Sequence, residues 1–124
     1  MLELLHIENI AIIERADILF GRGFNALTGE TGAGKSIVID ALGAVLGQRT
    51  SRELIRTGAE KAFVSAIFSG VPELPWFAEN QIPYEPELGI SREIFADGKN
   101  SCRVSGKPVT VSTLRKLGVQ LIQI

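Results

Sequence analysis

Alternating apolar and polar positions predict β-strands over residues 1–20 of the chain. Two β-rich runs, at 2–7 and 11–20, favour a strand pair. A turn at 21–23 leads to residues 24–28, a short apolar strand that runs straight into a glycine-rich stretch. Residues 36–46 are apolar nearly all round, which is typical of a helix buried against a sheet. This succession of strand, loop and helix predicts an α/β fold.

The middle of the chain predicts fewer regular elements. Residues 51–55 favour a short helix capped by Ser51, and residues 62–68 alternate like a strand. All but one of the 5 prolines fall between Gly70 and Gly89. We therefore interpret residues 70–89 as an irregular excursion and predict no helix or strand there.

A tight hairpin is the clearest prediction in the last third of the chain. Asp97-Gly98-Lys99-Asn100 separates strands predicted at 91–96 and 102–104, and Asp-Gly tolerates the positive φ that such turns need. Residues 110–117 are predicted to form a capped helix, and residues 119–124 a final apolar strand. We expect that strand to be an exposed edge that promotes aggregation unless another part of the protein covers it.

Length and composition indicate one domain over residues 1–124. Of the 124 residues, 45% are hydrophobic and 22% charged, as in a globular protein with its own core. Acidic Glu3 lies where a signal peptide carries basic residues, and no apolar run is long enough to span a bilayer. The single Cys102 is interpreted as a small strand residue in a reducing compartment. We therefore expect a cytoplasmic protein with no membrane partner.

Charge is close to balanced overall but uneven along the chain. The net charge is -1, which does not favour general attraction to nucleic acid. Residues 73–93 are rich in glutamate, whereas the chain after Asp97 carries basic residues and no acid. This basic end is interpreted either as a solvated face or as a DNA contact. Its members are Lys99, Arg103, Lys107, Arg115 and Lys116.

The glycine-rich stretch matches the phosphate-binding pattern G-x-x-x-x-G-K-S/T at every defined position. Glycines let the backbone approach phosphate oxygens, so that successive N–H groups form a cradle on the positive end of the following helix. We expect Lys35 to contact the β- and γ-phosphates and the Ser36 hydroxyl to bind Mg²⁺. The sequence thus predicts a P-loop for a nucleoside triphosphate at Gly29, Glu30, Thr31, Gly32, Ala33, Gly34, Lys35 and Ser36.

The other groups that hydrolysis needs are not evident in the sequence. A Walker B acid ends an apolar strand, whereas Asp40 lies in the predicted helix and Asp97 in the predicted turn. Neither is assigned that role. Three arginines beyond the helix are interpreted either as solvated side chains or as contacts to phosphate or DNA: Arg49, Arg52 and Arg56. Three further side chains are interpreted as packing residues: His6, Trp76 and Tyr84.

The P-loop and its flanks resemble a known family. The run N-A-L-T-G-E-T-G-A-G-K-S-I at 25–37, continued by I-D-A-L at 39–42 and L-G-Q-R at 46–49, looks like the start of the RecN family of bacterial DNA repair ATPases, within the SMC group of ABC-type ATPases. L-H-I-E-N-I-A-I-I-E at 5–14 and S-C-R-V-S-G-K-P-V at 101–109 fit the same pattern. The resemblance therefore covers most of the chain.

This resemblance implies a P-loop NTPase fold of ABC/SMC type. The chain would be the N-terminal lobe of an ATPase head, with a mixed or antiparallel β-sheet packed on the P-loop helix. The implied ligands are ATP and Mg²⁺. The implied partners are a C-terminal lobe that carries the signature motif and Walker B, a second head in a homodimer that sandwiches ATP, and DNA at the nucleoid during double-strand break repair. Because this sequence has no heptad region, signature or Walker B, we expect the segment alone to bind nucleotide without significant turnover.

Three other functions are compatible with a P-loop. The first is the nucleotide-binding subunit of an ABC transporter, which usually places an aromatic residue before the P-loop strand and joins its lobes without a coiled coil. The second is a small-nucleotide kinase or a GTPase, although no Asn-Lys-x-Asp base-reading motif occurs. The third is a structural head lobe that binds nucleotide without turnover. The sequence beyond residue 124 would separate the first two from the RecN type, and turnover measured with the remaining chain present would separate the third.

Overall fold

The computed structural model describes residues 1–20 and 32–123, with the backbone alone at 32–35. These residues form a six-stranded sheet with strand order β2-β1-β3-β4-β5-β6, in which every pair of neighbours is antiparallel. The elements are β1 (Leu2–Ile10), β2 (Ile13–Leu19), α1 (Gly32–Val45), a 3₁₀ helix (Arg52–Leu54), β3 (Lys61–Phe68), α2 (Pro75–Glu79), β4 (Leu88–Phe95), β5 (Asn100–Val104), β6 (Lys107–Val109) and α3 (Val111–Ile122).

One face of the sheet is covered by helices and forms the core. Buried and partly exposed residues alternate along β3 and β4, because successive side chains of a strand point to opposite faces. Helix α1 packs across β1, β3 and β4, and α3 packs on β5. The predicted α/β architecture with a sheet packed on the helix after the P-loop is confirmed. The strand predicted at 24–28 lies outside the described residues.

Helix α1 ends at a glycine turn that its sequence dictates. Gly47 has φ +90°, and its N–H donates to the carbonyl of Ala44 at 3.0 Å, while the Gln48 N–H donates to the carbonyl of Gly43 at 3.0 Å. This pair of bonds is the Schellman arrangement, in which glycine supplies the left-handed residue. The observed bounds of α1 extend the predicted helix by one turn at its start.

The segment 70–89 is not wholly irregular, which corrects the prediction of no regular element there. It contains α2, with proline at its start, and the first residues of β4. Trp76 and Phe77 on α2 are buried, and the Trp76 indole N–H donates to the carbonyl of Thr113 at 3.0 Å. The prolines therefore fit a short helix that packs into the core, since proline is tolerated at the first helical turn.

The prediction of a final strand at 119–124 is wrong, because α3 continues as one helix to Ile122. Thr110 caps the helix by accepting from the Thr113 N–H at 3.0 Å. The apolar side chains Leu114, Leu117 and Leu121 repeat at helical spacing, and the first two are completely buried. Packing of this stripe overrides the local β pattern. The exposed edge strand expected at that end is therefore absent from the part of the chain that is described, up to residue 123.

The remaining predicted elements are present in the structure, with bounds that differ by a few residues. Ser51 caps the 3₁₀ helix by accepting from the Glu53 N–H at 3.3 Å. The hairpin between β4 and β5 turns at 96–99, with Gly98 at φ +98°. Strand β6 was not predicted. Among the described residues, no helix has the length and apolarity to span a membrane.

Candidate nucleotide-binding site

The second half of the P-loop pattern lies at the start of α1. Gly29, Glu30 and Thr31 lie outside the described residues, and the stretch 32–35 forms the first turn of α1, of which the backbone is described. The first four N–H groups of a helix have no partner within it, and this first turn contains no acidic residue. Such N–H groups, at the positive end of the helix, favour an anion. The contacts of the individual site residues stay a prediction.

Ser36 is exposed in the second turn of α1, one residue before the helix becomes buried at Ile37 and Val38. Its hydroxyl is therefore accessible, as a metal-binding role requires. Among the described residues, no group of three or more His, Cys, Asp or Glu side chains forms a metal site of its own. In P-loop NTPases, Mg²⁺ is held by phosphate oxygens, the P-loop Ser or Thr and a Walker B Asp. Binding of Mg²⁺ by Ser36 stays a prediction.

A cavity of about 440 Å³ lies beside α1. Asp40 and Gly43 line it from α1, and they share a helical face with Ser36 because residues four and seven apart lie above one another. Arg49 and Ser51 line it from the segment after the helix. The volume falls in the range of small-molecule sites. Asp40 is thus an exposed side chain on the wall of this cavity and does not end a strand.

The three arginines after α1 are placed differently. Arg49 lines the cavity, whereas Arg52 is exposed at the start of the 3₁₀ helix. Arg56 is half-buried, and its backbone N–H donates to the carbonyl of Asn9 at 2.8 Å. Of the three, only Arg49 lines the cavity that is also lined by the face of α1 that carries Ser36.

The basic end of the chain is exposed. Within residues 1–20 and 36–123, no carboxylate forms an ion pair with any of its five members, although the Arg103 guanidinium donates to the carbonyl of Gly106 at 3.0 Å. By contrast, Lys61 pairs with Glu93 at 2.6 Å. Asp97 accepts from the Lys99 N–H at 3.0 Å, so the interpretation of Asp97 as a turn residue is confirmed.

His6 is not simply a packing residue, which corrects the prediction. Its Nδ1 lies 2.6 Å from an oxygen of Asp17, and its Nε2 lies 2.6 Å from an oxygen of Glu8. Both ring nitrogens therefore face carboxylates, which favours the imidazolium. Hydrogen bonding to Glu8, and then to Asp17, raises the pKa of His6 above its ordinary value. The two other side chains are packed and bonded, Trp76 as above and Tyr84 through its hydroxyl to the carbonyl of Val71.

Arg92 was missed by the reasoning from sequence. It is 2% exposed, and its guanidinium donates to the backbone carbonyls of Ala44 and Gln48 at the end of α1. A signal was present, because the alternation along β4 assigns a buried position to Arg92 between Ile90 and Ile94. A charged residue at a buried strand position indicates a specific partner.

Comparison with known proteins finds RecN proteins that are similar to the whole chain. DNA repair protein RecN of Bacillus subtilis (strain 168) is 46% identical over 128 residues, which cover 100% of this chain and 22% of that protein. RecN of Haemophilus influenzae is 40% identical over 130 residues, again 100% of this chain and 23% of the relative. The chain thus spans less than a quarter of the length of these curated relatives.

Solved structures share the fold. A structure from work on ATP-driven dimerization and DNA-stimulated activation of SMC ATPases aligns with a TM-score of 0.77 at 25% identity, over 98% of this chain and 79% of that one. The SMC head domain from Thermotoga maritima aligns with a TM-score of 0.65 at 23% identity, over 94% of this chain and 41% of that one, and shows the fold alone. The predicted resemblance to RecN is confirmed by the RecN relatives.

A family model described as an AAA domain matches residues 4–107, most of the chain. The match spans the sheet from β1 to the start of β6 as well as α1 with its P-loop. The chain belongs to the AAA domain family.

Proposed function

We propose that this chain is the N-terminal lobe of the ATPase head of a RecN-type DNA repair protein. The observation that carries the proposal is a complete P-loop sequence pattern that runs into the start of α1, in a chain that RecN proteins match over its whole length. Bound ATP with Mg²⁺ supplies the phosphoryl group that is transferred to water. The protein residues bind and orient it, since phosphoryl transfer depends on positioning and on stabilisation of charge.

The roles of the site residues follow from their chemistry. The backbone of the loop and of the first turn of α1 cradles the phosphates, and Lys35 adds a mobile positive charge for the β- and γ-phosphates. The Ser36 hydroxyl holds Mg²⁺. Asp40 and Asp97 act as neither Walker B acid nor base. Those groups come from a C-terminal lobe of the same protein, which completes the site for hydrolysis.

The partners follow from the same assignment. The SMC neighbour is described by its ATP-driven dimerization and DNA-stimulated activation, which supports a homodimer of heads on ATP binding and DNA as the ligand coupled to turnover. The protein acts on DNA in the cytoplasm, at the nucleoid. Candidate DNA contacts are Arg49, Arg52, Arg56 and the basic end of the chain, because cations without a carboxylate partner among the described residues suit phosphate groups.

Calorimetric titration of the chain with ATP tests the nucleotide site. We expect Lys35→Ala to weaken binding by roughly ten- to a hundredfold, since a charge-assisted contact contributes about 1.5 to 3 kcal/mol. The fold should be unchanged by circular dichroism. Ser36→Ala should reduce the part of the affinity that depends on Mg²⁺, which titrations with and without the metal will show. Equal affinity of wild type and folded Lys35→Ala contradicts the proposal.

Charge reversal tests the DNA surface in the full-length protein. Binding that neutralises phosphates falls steeply with added salt. Reversing the charges of the basic end, or separately those of Arg49, Arg52 and Arg56, should therefore lower the affinity for duplex DNA and flatten its salt dependence. Reversal of Glu85 and Glu87, exposed in the acidic segment, is the matched control. Unchanged affinity and salt slope in both the basic-end and the arginine variants would place the DNA site elsewhere.

A further inference from the structure

We propose that Arg92 is a positioning residue for the nucleotide site, which holds the C-terminal end of α1 and the segment 48–50 in a fixed place on the sheet. The inference rests on the proposed function, because α1 is taken to carry the phosphate cradle at its other end. Arg92 itself lies on β4, one of the two central strands of the sheet. It bonds to the end of α1 that is far from the P-loop.

The burial of Arg92 needs an explanation of this kind. Among the described residues it is the one charged side chain that is buried, and no carboxylate there pairs with it. Burial lowers the pKa of its guanidinium below the ordinary value, and nearby Arg115 adds to that effect. A buried cation is costly unless it is hydrogen-bonded. Its compensation comes from backbone carbonyls and polar side chains.

The bonds of Arg92 join three separate parts of the chain. Its Nη1 donates to the carbonyl of Ala44 at 2.8 Å and to that of Gln48 at 2.7 Å, and its Nε donates to the side-chain oxygen of Asn100 at 2.9 Å. The Thr50 hydroxyl lies 3.5 Å from Nη2. Because the guanidinium is planar and rigid, these partners are fixed relative to one another. The last turn of α1, the segment after it and the start of β5 therefore move as a unit.

The position of Arg92 also suits the electrostatics of α1. The carbonyl ends of a helix carry partial negative charge, and a cation there is stabilising. In this fold the cation comes from the sheet and not from the helix itself. It therefore stabilises α1 only when α1 is seated at one position on β4.

Two features of the nucleotide site depend on the position of α1 on the sheet. Helix α1 is continuous from Gly32 to Val45, so a shift of its last turn displaces the P-loop turn at its start. Gln48 and Thr50 flank Arg49, which lines the cavity beside α1. Arg92 thus sets both the axial position of the phosphate cradle and the direction from which Arg49 reaches the cavity.

The experiment compares Arg92→Met, which keeps bulk but removes every donor, with Arg92→Lys, which keeps the charge. Val64→Ala is the matched control, because Val64 lies directly opposite Arg92 on β3, is fully buried and makes no contact with α1 through hydrogen bonds. Mg·ATP affinity is measured by calorimetry well below the unfolding temperature of each variant. We expect about a tenfold loss for Arg92→Met and a smaller loss for Arg92→Lys. Val64→Ala should bind within about twofold of wild type.

A purely structural role predicts the opposite pattern, in which all folded variants bind ATP equally and differ in unfolding alone. That result overturns the proposal. If Arg92→Met does not fold, the comparison of Arg92→Lys with Val64→Ala decides in the same way. If wild type binds no Mg·ATP, the proposed function fails. Amide hydrogen exchange of residues 43–50 then tests separately whether Arg92 holds the end of α1 and the segment after it in place. Faster exchange in Arg92→Lys than in Val64→Ala supports the positioning role, and equal exchange overturns it.

Discussion

His6 on β1 illustrates how a single residue gains a role from its neighbours. Its imidazolium lies between the carboxylates of Glu8 and Asp17, and the Arg15 guanidinium lies 3.3 Å from Glu8. The Phe63 and His6 rings are arranged edge-to-face, with ring centroids 5.9 Å apart. Since β2 pairs with β1 alone among the described strands, this cluster helps to hold an edge strand in place.

The cluster predicts a pH dependence of stability. The pKa of His6 is raised in the folded protein, so its contribution is fully present below its ordinary value of 6.5 and is lost as pH rises through the higher folded value. The pKa of Glu8 is lowered, chiefly by its hydrogen bond to His6, so its contribution is lost as pH falls through its folded value, below 4.5. The stability difference between wild type and His6→Gln should therefore shrink from pH 6 towards pH 9.

Urea unfolding of both proteins across that range measures the difference. Glu93→Gln is the control, because it removes an ion pair with Lys61 on the same sheet. The pKa of Lys61 is raised above 10.5 by that pair, so the effect of Glu93→Gln should not vary between pH 6 and pH 9. A constant difference for His6→Gln over this range would contradict the imidazolium assignment.

Helix α3 shows how an element is decided by what it packs against. Residues 119–124 carry a local strand pattern, yet the helix passes through Gly118 and ends at Ile122. A Cβ built on Gly118 would lie 2.1 Å from the carbonyl oxygen of Leu46. The glycine therefore lets α3 approach the end of α1, and the packing gained there outweighs the low helix propensity of glycine.

Gly118→Ala should destabilise the protein even though alanine favours helix. The added methyl group overlaps the backbone of Leu46, and overpacking of this kind costs about 1–3 kcal/mol. Gly89→Ala is the control, since nothing lies within 4 Å of a Cβ at that position. Chemical denaturation of the two variants measures both effects. Stability of Gly118→Ala equal to or above wild type would show that α3 and α1 separate at no cost.

For the molecule as a whole, we predict nucleotide binding without rapid turnover. The chain covers 22–23% of its RecN relatives, and neither Asp40 nor Asp97 is placed as a Walker B acid in the described structure. A lobe that lacks groups around the γ-phosphate should hydrolyse ATP at a rate near the uncatalysed one. Addition of the C-terminal lobe should raise the rate.

A steady-state ATPase assay on the purified chain tests this, with Lys35→Ala as the blank for contaminating enzymes. Turnover clearly above the blank would locate a catalytic acid within this chain and return attention to Asp40 and Asp97. No turnover even with the C-terminal lobe present would instead favour a structural head that binds nucleotide only. Both results are distinct from loss of ATP binding, which calorimetry reports separately.

The sequence by itself determined the features that short stretches of chain specify. The P-loop pattern, the glycine turn at Gly47, the Thr110 cap and the Asp97-Gly98 hairpin each depend on the conformational limits of a few neighbouring residues. For that reason the capped helix, the hairpin and the approximate position of α1 were predictable without coordinates, although α1 begins at Gly32, one turn earlier than predicted. The RecN resemblance likewise depends on short runs of sequence, around the P-loop and at 5–14 and 101–109.

Tertiary structure decided the features that join distant parts of the chain. Arg92 bonds to a carbonyl 48 positions away in sequence, and the β1–β2 register brings Asp17 opposite His6. A local pattern does indicate that Arg92 is buried or that residues 2–7 form a strand. It does not indicate which groups these residues contact. Those partners depend on strand register and helix seating, which the packing of the whole core determines.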